Sequence, residues 1–335
     1  MKFYSAFDKP IKVFGIADFD NRKSFARLPS EVISRVSSLE FLGKRPPGGR
    51  IGFRTDSKTL TVRLAFETLG VDIGMSIYAC QSAFVFAGER KSSTFLGLVN
   101  PKNYETKEFE RTFSLSGELQ DILIYLPRNE ILKSVDIGID DGAVIEAPTP
   151  YKHSKPILYY GSSITEGGCC CNPSSAYNAI ISRHLDVDYY NFGFSGSCKG
   201  EPEMAEYFNT LDFSIFVLDY DHNAPTVEHL RATHEPFYRA IREKNPTTPI
   251  IMLTRPRPWL NEDEVQRRDV VKQTYENALE SGDKNVYFIE GTEFFDGFDD
   301  SELCFIDTCH PNDLGFYKMA QKIEPLICSL LEEKN

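Results

Sequence analysis

Short apolar runs separated by turn residues fill the first half of the chain. Runs rich in β-branched and aromatic residues occupy 50–56, 59–67, 75–88, 111–117, 121–127 and 134–140. Turn signals such as Gly48-Gly49, Gly88, Gly117 and 140–142 punctuate them. This spacing predicts antiparallel strands in an all-β sandwich of the jelly-roll kind. One short helical segment is indicated there, at 29–38.

The periodicity changes in the second half. Apolar runs at 156–161, 189–195, 213–220, 249–255 and 286–291 are typical of strands buried on both faces. Helical stretches are indicated at 173–185, 202–208, 226–244, 262–280 and 311–331. Buried strands that alternate with helices predict a parallel sheet covered by helices, a three-layer α/β/α domain.

A proline-containing segment lies between the two patterns. Residues 143–156 (AVIEAPTPYKHSKP) carry three prolines among polar residues, which is typical of a linker. We therefore expect a β-sandwich accessory domain at 1–148 and an α/β domain at 149–335. A chain of 335 residues is long enough for two hydrophobic cores. Arg50 and Arg54 of the first domain are expected either to pack against the second or to face water.

The net charge of the chain indicates which classes of binding partner are unfavourable. The chain has 37 Lys and Arg against 49 Asp and Glu, so its formal net charge is −12. Negative charge repels phosphate backbones and anionic lipid surfaces, so we expect neither nucleic acid nor a membrane as partner. Solubility alone would also account for the charge.

The location of the protein is predicted from its apolar runs. None approaches the roughly 18 residues of a membrane span, and Asp8, Lys9 and Pro10 interrupt the stretch where a secretory signal would be apolar. We therefore expect a cytoplasmic protein. Its eight cysteines are then expected to be free thiols.

Residues that could take part in catalysis follow the predicted parallel strands. Ser163 lies in the turn after the first strand, where its hydroxyl can be exposed and its N–H faces a helix start that favours an oxyanion. Gly196 follows the second strand, and a glycine allows close backbone approach by a substrate oxygen. Asn223 follows the third and offers a neutral amide donor. Taken alone, each would be a helix cap or a turn residue.

An Asp-x-x-His pair precedes the last predicted helix. Pro311 suits the first helical position, so His310 stands just before it. Asp307 can accept a hydrogen bond from the Nδ1–H of His310, which turns Nε2 towards a nucleophile. Since ligands of open α/β sheets bind beyond the carboxyl ends of the strands, we expect this pair to lie near Ser163.

The order of these blocks resembles that of the SGNH (GDSL-like) hydrolases over about 155–330. GSSIT (161–165) stands where that family has G-D-S-x-T, with Ser162 replacing the usual Asp. DTCHPND (307–313) is similar to the last block, whereas DYDHN (219–223) departs from the usual Gly-x-Asn-Asp.

The resemblance implies a flavodoxin-like fold and a set of roles. Ser163 would be the nucleophile, and His310 and Asp307 would complete a triad. Ser163, Gly196 and Asn223 would form an oxyanion hole. The resemblance implies neither a metal nor a cofactor.

The first half extends the resemblance. A β-sandwich before an SGNH domain looks like the two-domain carbohydrate esterases that remove acetyl groups from sugars, and GGRIGFRTDS (48–57) is similar to their sandwich. This implies hydrolysis of short acyl esters on a small-molecule or oligosaccharide substrate. Two alternatives stay open: a lipid or thioester acylhydrolase, and a non-catalytic carbohydrate-binding protein. The sequence leaves the oligomeric state open.

Further candidates for substrate contact lie in the same turns: Glu166, Asp221, His222 and Trp259. Glu166 is also expected to support the nucleophile turn, and Asp221 or His222 to support Asn223. Trp259 could stack on a sugar face or anchor its loop. The neighbouring Arg255 and Arg257 would meet an acidic sugar or solvent.

Cysteines and histidines also gather in this half. Cys169–Cys171, Cys198 and Cys309 are expected near the site, but consecutive cysteines lack the Cys-x-x-Cys spacing of a zinc site, so we expect plain thiols. His229 and His234 are five residues apart on a predicted helix. They would lie on different faces, which disfavours a metal site.

Overall fold

Antiparallel strands form the first part of the structure. The computed structural model describes residues 1–103 and 105–332. The strands of this part are β1 (Lys2–Ser5), β2 (Lys12–Phe14), β3 (Arg50–Thr55), β4 (Thr59–Phe66), β5 (Ala83–Ala87), β6 (Thr94–Val99), β7 (Glu108–Ser114), β8 (Gln120–Tyr125), β9 (Leu132–Ile139) and β10 (Ile145–Glu146). One sheet has the order β1-β9-β4-β7, and another has the order β10-β3-β8-β5-β6 with β2 beside β3. Apolar side chains of both sheets share one core, as the predicted sandwich requires.

Short helices interrupt this part: α1 (Phe19–Arg22), α2 (Ser30–Ile33) and α3 (Ile77–Gln81). The prediction of one strand at 75–88 was wrong, because its first half is α3 and only β5 is extended. The carbonyls of Ala79 and Cys80 accept hydrogen bonds from the backbone N–H groups of Arg128 and Asn129 at 3.0 and 3.2 Å, which holds the helical turn. Strands β1, β2, β6 and β10 were not predicted, and β10 lies inside the predicted linker.

Parallel strands and longer helices make up the second part. The strands are β11 (His153–Gly161), β12 (Val187–Gly193), β13 (Ile215–Asp219), β14 (Ile250–Leu253) and β15 (Val286–Ile289). The helices are α4 (Ser163–Glu166), α5 (Tyr177–Leu185), α6 (Pro202–Phe208), α7 (Val227–Lys244), α8 (Glu262–Glu280) and α9 (Asp313–Glu332). Among the described residues, no helix has the length and apolarity that a membrane crossing needs.

Helices cover both faces of the parallel sheet because the strand side chains alternate. Ile157 and Tyr159 of β11 pack with α5 and α9, whereas Leu158 and Tyr160 pack with α6, α7 and α8. All four side chains are fully buried. The result is the predicted three-layer α/β/α arrangement.

The strand order places a crevice beside β11. The order β12-β11-β13-β14-β15 is 2-1-3-4-5 along the chain, as in flavodoxin-like folds. Helix α5 follows β11 on one face, and α7 follows β13 on the other. The turns after these two neighbouring strands therefore diverge at the carboxyl edge, where such sheets bind their ligands.

The two parts of the chain share their cores. Leu28 and Val32 of the first part belong to the apolar cluster of α6 to α8, and Phe84 belongs to that of α5 and α9. Arg50 is fully buried, forms an ion pair with Asp188 of the second part, and stacks on Tyr189. Arg54 instead pairs with Glu146 of the first part. Packing across the predicted boundary at 148/149 therefore includes both apolar and charged groups.

His229 and His234 of α7 contact different partners, as their spacing on the helix predicted. His229 Nε2 lies 2.9 Å from the Lys199 carbonyl oxygen, and buried His234 Nδ1 lies 2.9 Å from Thr274 Oγ1. Burial lowers the pKa of His234 to about 4. It therefore stays neutral in the folded protein at a pH where the unfolded chain, with a pKa near 6.5, takes up a proton.

His234 should make the fold sensitive to acid. A histidine pKa depressed by folding contributes stability above about pH 6.5 that is lost as the pH falls towards 4. Between pH 7 and pH 5, His234→Gln should remove about 2 kcal/mol of that loss. Guanidinium unfolding at pH 7 and pH 5 measures it. An equal pH dependence of the unfolding free energy in wild type and variant would contradict the assignment.

Candidate active site

The turn that carries Ser163 joins β11 directly to α4. Strand β11 ends at Gly161, and Ser162 caps the helix by accepting a hydrogen bond from the Ile164 N–H at 3.1 Å. Ser163 is the first helical residue, and its side chain lies at the carboxyl edge of the sheet. It is 5% exposed.

His310 lies within hydrogen-bond reach of Ser163, although 147 residues separate them. The Ser163 Oγ and His310 Nε2 atoms are 2.9 Å apart. The other ring nitrogen, Nδ1, lies 2.8 Å from Asp307 Oδ2. The three side chains therefore form one chain of hydrogen bonds from hydroxyl to carboxylate.

The surroundings of Asp307 keep it ionised. Partial burial opposes ionisation, but hydrogen bonds from the His310 ring, from the His310 N–H and from the Cys309 N–H outweigh it, so the pKa of Asp307 is below its usual value. A charged Asp307 accepts from the protonated Nδ1, which leaves Nε2 of His310 free to accept the Ser163 proton.

Gly196 and Asn223 occupy the turns after β12 and β13. Gly196 is exposed with φ +65°, a left-handed conformation that favours glycine, and a Cβ there would meet nothing within 4 Å. The Asn223 Nδ2 donates to the Phe194 carbonyl at 3.0 Å, which ties the two turns together. An amide has two N–H groups, so the second remains for a substrate oxygen.

Glu166 is buried beneath these turns. Its side chain is 1% exposed; Oε1 pairs with Arg27 at 3.1 Å and Oε2 accepts from the Ser195 N–H at 3.0 Å. Arg27 also donates to the carbonyls of Asn191 and Gly193. Both carboxylate oxygens are thus engaged with protein groups, which favours structural support of the turn that carries Ser163 over a substrate contact.

Asp221 and His222 form a second relay with Ser162. His222 Nε2 lies 2.7 Å from Ser162 Oγ, and Nδ1 lies 2.8 Å from Asp221 Oδ1. Within the described residues, Asp219, Asp221 and His222 also bring ligand-type atoms within 4.8 Å of one another, as a cation would require. Because both ring nitrogens of His222 already face protein partners, a cation would have to displace one of them.

Trp259 lines a groove beside Asp307. The groove has a volume of about 440 Å³ and is bordered by Arg257, Pro258, Trp259, Ser301, Glu302, Phe305, Ile306, Asp307 and Thr308. Trp259 is 60% exposed, and the guanidinium of Arg257 lies 3.7 Å from its ring centre. Arg257 and Arg255 both pair with Glu264, so their charges are used within the protein.

The cysteines near the site are free thiols of differing exposure. Cys169, Cys170 and Cys198 are buried, Cys309 is half-buried and Cys171 is exposed. Burial raises the pKa of the Cys169 thiol to about 11 and that of Cys170 to about 12. These two thiols are therefore protonated at neutral pH, and a protonated thiol is a poor nucleophile.

Sequence reasoning missed two contributions of the first part. The sequence gave no indication of the role of Arg27, because this residue lies in no motif. In the loop that follows β4, the Ser76 hydroxyl donates a hydrogen bond to the Cys171 carbonyl at 2.9 Å. Gly74 of the same loop lies next to the Ile306 side chain. The exposed apolar residue Ile73 of this loop, flanked by Gly70 and Gly74, was the available hint.

The fold and the site at the carboxyl edge of the sheet define a class of protein, the esterases and acylhydrolases of the SGNH type. A sequence model of the GDSL-like lipase/acylhydrolase family matches residues 154–328, and one for the N-terminus of SGNH-hydrolase-type esterases matches residues 1–145. The chain belongs to the GDSL-like lipase/acylhydrolase family. A search of curated proteins returned no match.

Solved structures share the fold over nearly the whole chain. A protein from Bacteroides ovatus ATCC 8483 assigned as a GDSL-like lipase is 27% identical, with 99% of this chain and 98% of that one covered and a TM-score of 0.87. A salicylyl-acyltransferase from a tetracycline biosynthetic pathway is 21% identical over 98% and 97%, with a TM-score of 0.80. An acetyl xylan esterase from the rumen bacterium Butyrivibrio proteoclasticus is 12% identical over 99% and 100%, with a TM-score of 0.61.

Breaking the buried Arg27–Glu166 pair should destabilise the fold. Arg27→Met leaves a buried carboxylate without its cation, which typically costs about 3–5 kcal/mol. The matched control is Arg35→Met, which removes an exposed pair with Glu206 and should cost less than about 1 kcal/mol. Urea unfolding measures both. Equal losses in the two variants would contradict the importance of the buried pair.

Proposed function

We propose that the protein is a serine esterase that hydrolyses short acyl esters, most readily acetyl esters, on a carbohydrate. One observation carries the proposal: the 2.9 Å contact of Ser163 Oγ with His310 Nε2, continued at 2.8 Å to Asp307. A hydroxyl is a weak nucleophile until a base takes its proton, and this relay supplies an oriented base.

Acylation starts with attack of the Ser163 oxygen on the ester carbonyl. As the bond to carbon forms, the hydroxyl proton moves to Nε2 of His310, and the nearby Asp307 carboxylate stabilises the imidazolium. The tetrahedral intermediate collapses when the C–O bond to the alcohol breaks. His310 gives its proton to the departing alcohol oxygen, and the acyl group stays on Ser163.

Deacylation repeats these steps with water. His310 takes a proton from water as the water oxygen attacks the acyl carbon, and then returns a proton to the Ser163 oxygen. The carboxylic acid leaves and the site is restored. The cycle uses only protein groups, substrate and water.

The negative oxygen formed in each half-reaction needs fixed donors. We assign this role to the N–H of Ser163, the N–H of Gly196 and the second N–H of the Asn223 amide. The open space at Gly196 and the tie between Asn223 and Phe194 support the assignment. One such donor is typically worth about 3–4 kcal/mol of transition-state stabilisation.

The groove beside Asp307 supports a carbohydrate as the alcohol part. Trp259 offers an exposed apolar ring for a sugar face, and Ser301 and Glu302 offer partners for hydroxyls. The similar fold of an acetyl xylan esterase supports a carbohydrate ester as the substrate. We propose 1–148 as an accessory domain that borders the site through its loop at 70–76.

A second candidate is hydrolysis of esters with larger apolar acyl groups. Leu303 and Ile306 near the groove are 57% and 45% exposed, which would suit an acyl chain. Chain-length series of p-nitrophenyl esters separate the two. Highest kcat/KM for acetate fits the first proposal, and a rise towards octanoate fits the second.

Ser163→Ala should abolish ester cleavage without unfolding the protein. Loss of the nucleophile should lower kcat for p-nitrophenyl acetate by at least about 10⁴-fold, as removal of a triad member does elsewhere. Initial rates measure the activity and circular dichroism the fold. Ser329→Ala, a change at an exposed position on α9, is the control and should keep full activity. Turnover by Ser163→Ala above one hundredth of wild type would exclude Ser163 as the nucleophile.

Trp259→Ala should weaken sugar binding while sparing the chemistry. Loss of one stacking face should raise KM for an acetylated xylo-oligosaccharide about five- to tenfold, since such contacts are worth roughly 1 kcal/mol. The rate with p-nitrophenyl acetate should change less than twofold. Trp259→Phe is the matched control and should keep most of the affinity. An unchanged KM for the sugar ester in Trp259→Ala would show that the groove does not hold the sugar.

A further inference from the structure

Two adjacent serines each face a histidine. Ser163 Oγ approaches His310, whereas Ser162 Oγ lies 2.7 Å from His222 Nε2 and also accepts from the Ile164 N–H. Ser162 is fully buried, unlike Ser163. Ser162 therefore cannot meet a substrate, and its hydrogen bonds must act within the protein.

The partner of Ser162 is itself held in place. Nδ1 of His222 lies 2.8 Å from Asp221 Oδ1, and the other oxygen of Asp221 accepts from the Arg255 N–H at 3.1 Å. Asp221 is 2% exposed. A carboxylate at Nδ1 fixes the proton there, so Nε2 of His222 accepts the hydroxyl proton of Ser162.

This relay closes a triangle among three turns. The Ser162–His222 bond joins the turn after β11 to the turn after β13. The Asn223–Phe194 bond joins the turn after β13 to that after β12. The contact of Glu166 with the Ser195 N–H joins the turn after β12 back to α4. Each of the three turns carries one of the oxyanion donors assigned above.

We propose that His222 is a positioning residue for the oxyanion hole, acting through Ser162. By fixing the Ser162 side chain, it sets the peptide plane that carries the Ser163 N–H relative to the Asn223 amide. The two donors can then reach the same substrate oxygen, because a displaced donor loses most of its effect in a preorganised site. This inference rests on the proposed esterase function.

The test compares His222→Phe, Ser162→Ala and the double variant with p-nitrophenyl acetate as substrate. His222→Phe keeps a ring but removes both hydrogen bonds, and should lower kcat about ten- to hundredfold with KM within about twofold. Ser162→Ala should give a similar loss. Because both variants remove the same Ser162–His222 bond, the double variant should be no worse than the poorer single variant. Multiplied losses in the double variant would overturn the proposal.

A rescue variant separates positioning from simple structural support. His222→Gln places an amide near the former Nε2 and should recover at least part of the lost kcat. A boronic acid that mimics the tetrahedral intermediate should lose affinity in parallel with kcat across the series. A lowered unfolding midpoint with unchanged kcat would overturn the proposal, because it would show a merely structural residue. If His222→Phe does not fold, Ser162→Ala, the smaller change, decides by the same criteria.

The outcomes distinguish this inference from the function on which it rests. If wild type cleaves the ester and Ser163→Ala does not, the proposed function stands, and unaltered kcat in His222→Phe or Ser162→Ala then refutes only the role of His222. If Ser163→Ala remains active, the function itself fails.

Discussion

The buried carboxylate of Glu166 is the constraint on which the arrangement of the site depends. A buried acidic side chain needs partners for both of its oxygens, and Glu166 finds them in Arg27 from the first part of the chain and in the Ser195 N–H of the turn after β12. The same guanidinium reaches two carbonyls at the end of β12. One buried ion pair thus connects the sandwich, the turn that carries Ser163 and the turn that carries Gly196. The last residue of β12, Gly193, permits this closeness, since a Cβ there would lie 2.1 Å from the Glu166 nitrogen.

The positions of these turns follow from the parallel sheet. Parallel strands end at one edge, so turns far apart in the chain meet there. The strand order then separates α5 and α7 onto opposite faces and opens the crevice beside Ser163. His310 lies in the segment before α9, and α9 packs against one face of the sheet. Ser163, Gly196 and Asn223 therefore lie on turns that follow strands, whereas His310 lies on a separate segment.

The sequence predicted the features that local patterns encode. Buried apolar runs marked β11 to β15, and residue type with position marked Ser163 and the Asp307–His310 pair, which lie within hydrogen-bond reach of one another in the structure. Tertiary partners have no such pattern. Arg27 lies in no motif. The first half of the strand predicted across 75–88 is α3, whose carbonyls accept hydrogen bonds from the distant Arg128 and Asn129. The bond between Ser162 and His222 depends on two strands being neighbours. Short edge strands such as β1 and β10 have too few residues to show an alternation.

The central claim, that Ser163 is an activated nucleophile and Ser162 is not, can be tested by covalent labelling. A fluorophosphonate reacts with an activated serine by forming an O–P bond and releasing fluoride. Intact-mass analysis should show one adduct per chain, and fragmentation of the peptide that contains both serines should place it on Ser163. Prior replacement of His310 by alanine should abolish the labelling. An adduct on Ser162, or labelling that persists without the imidazole of His310, would contradict this account.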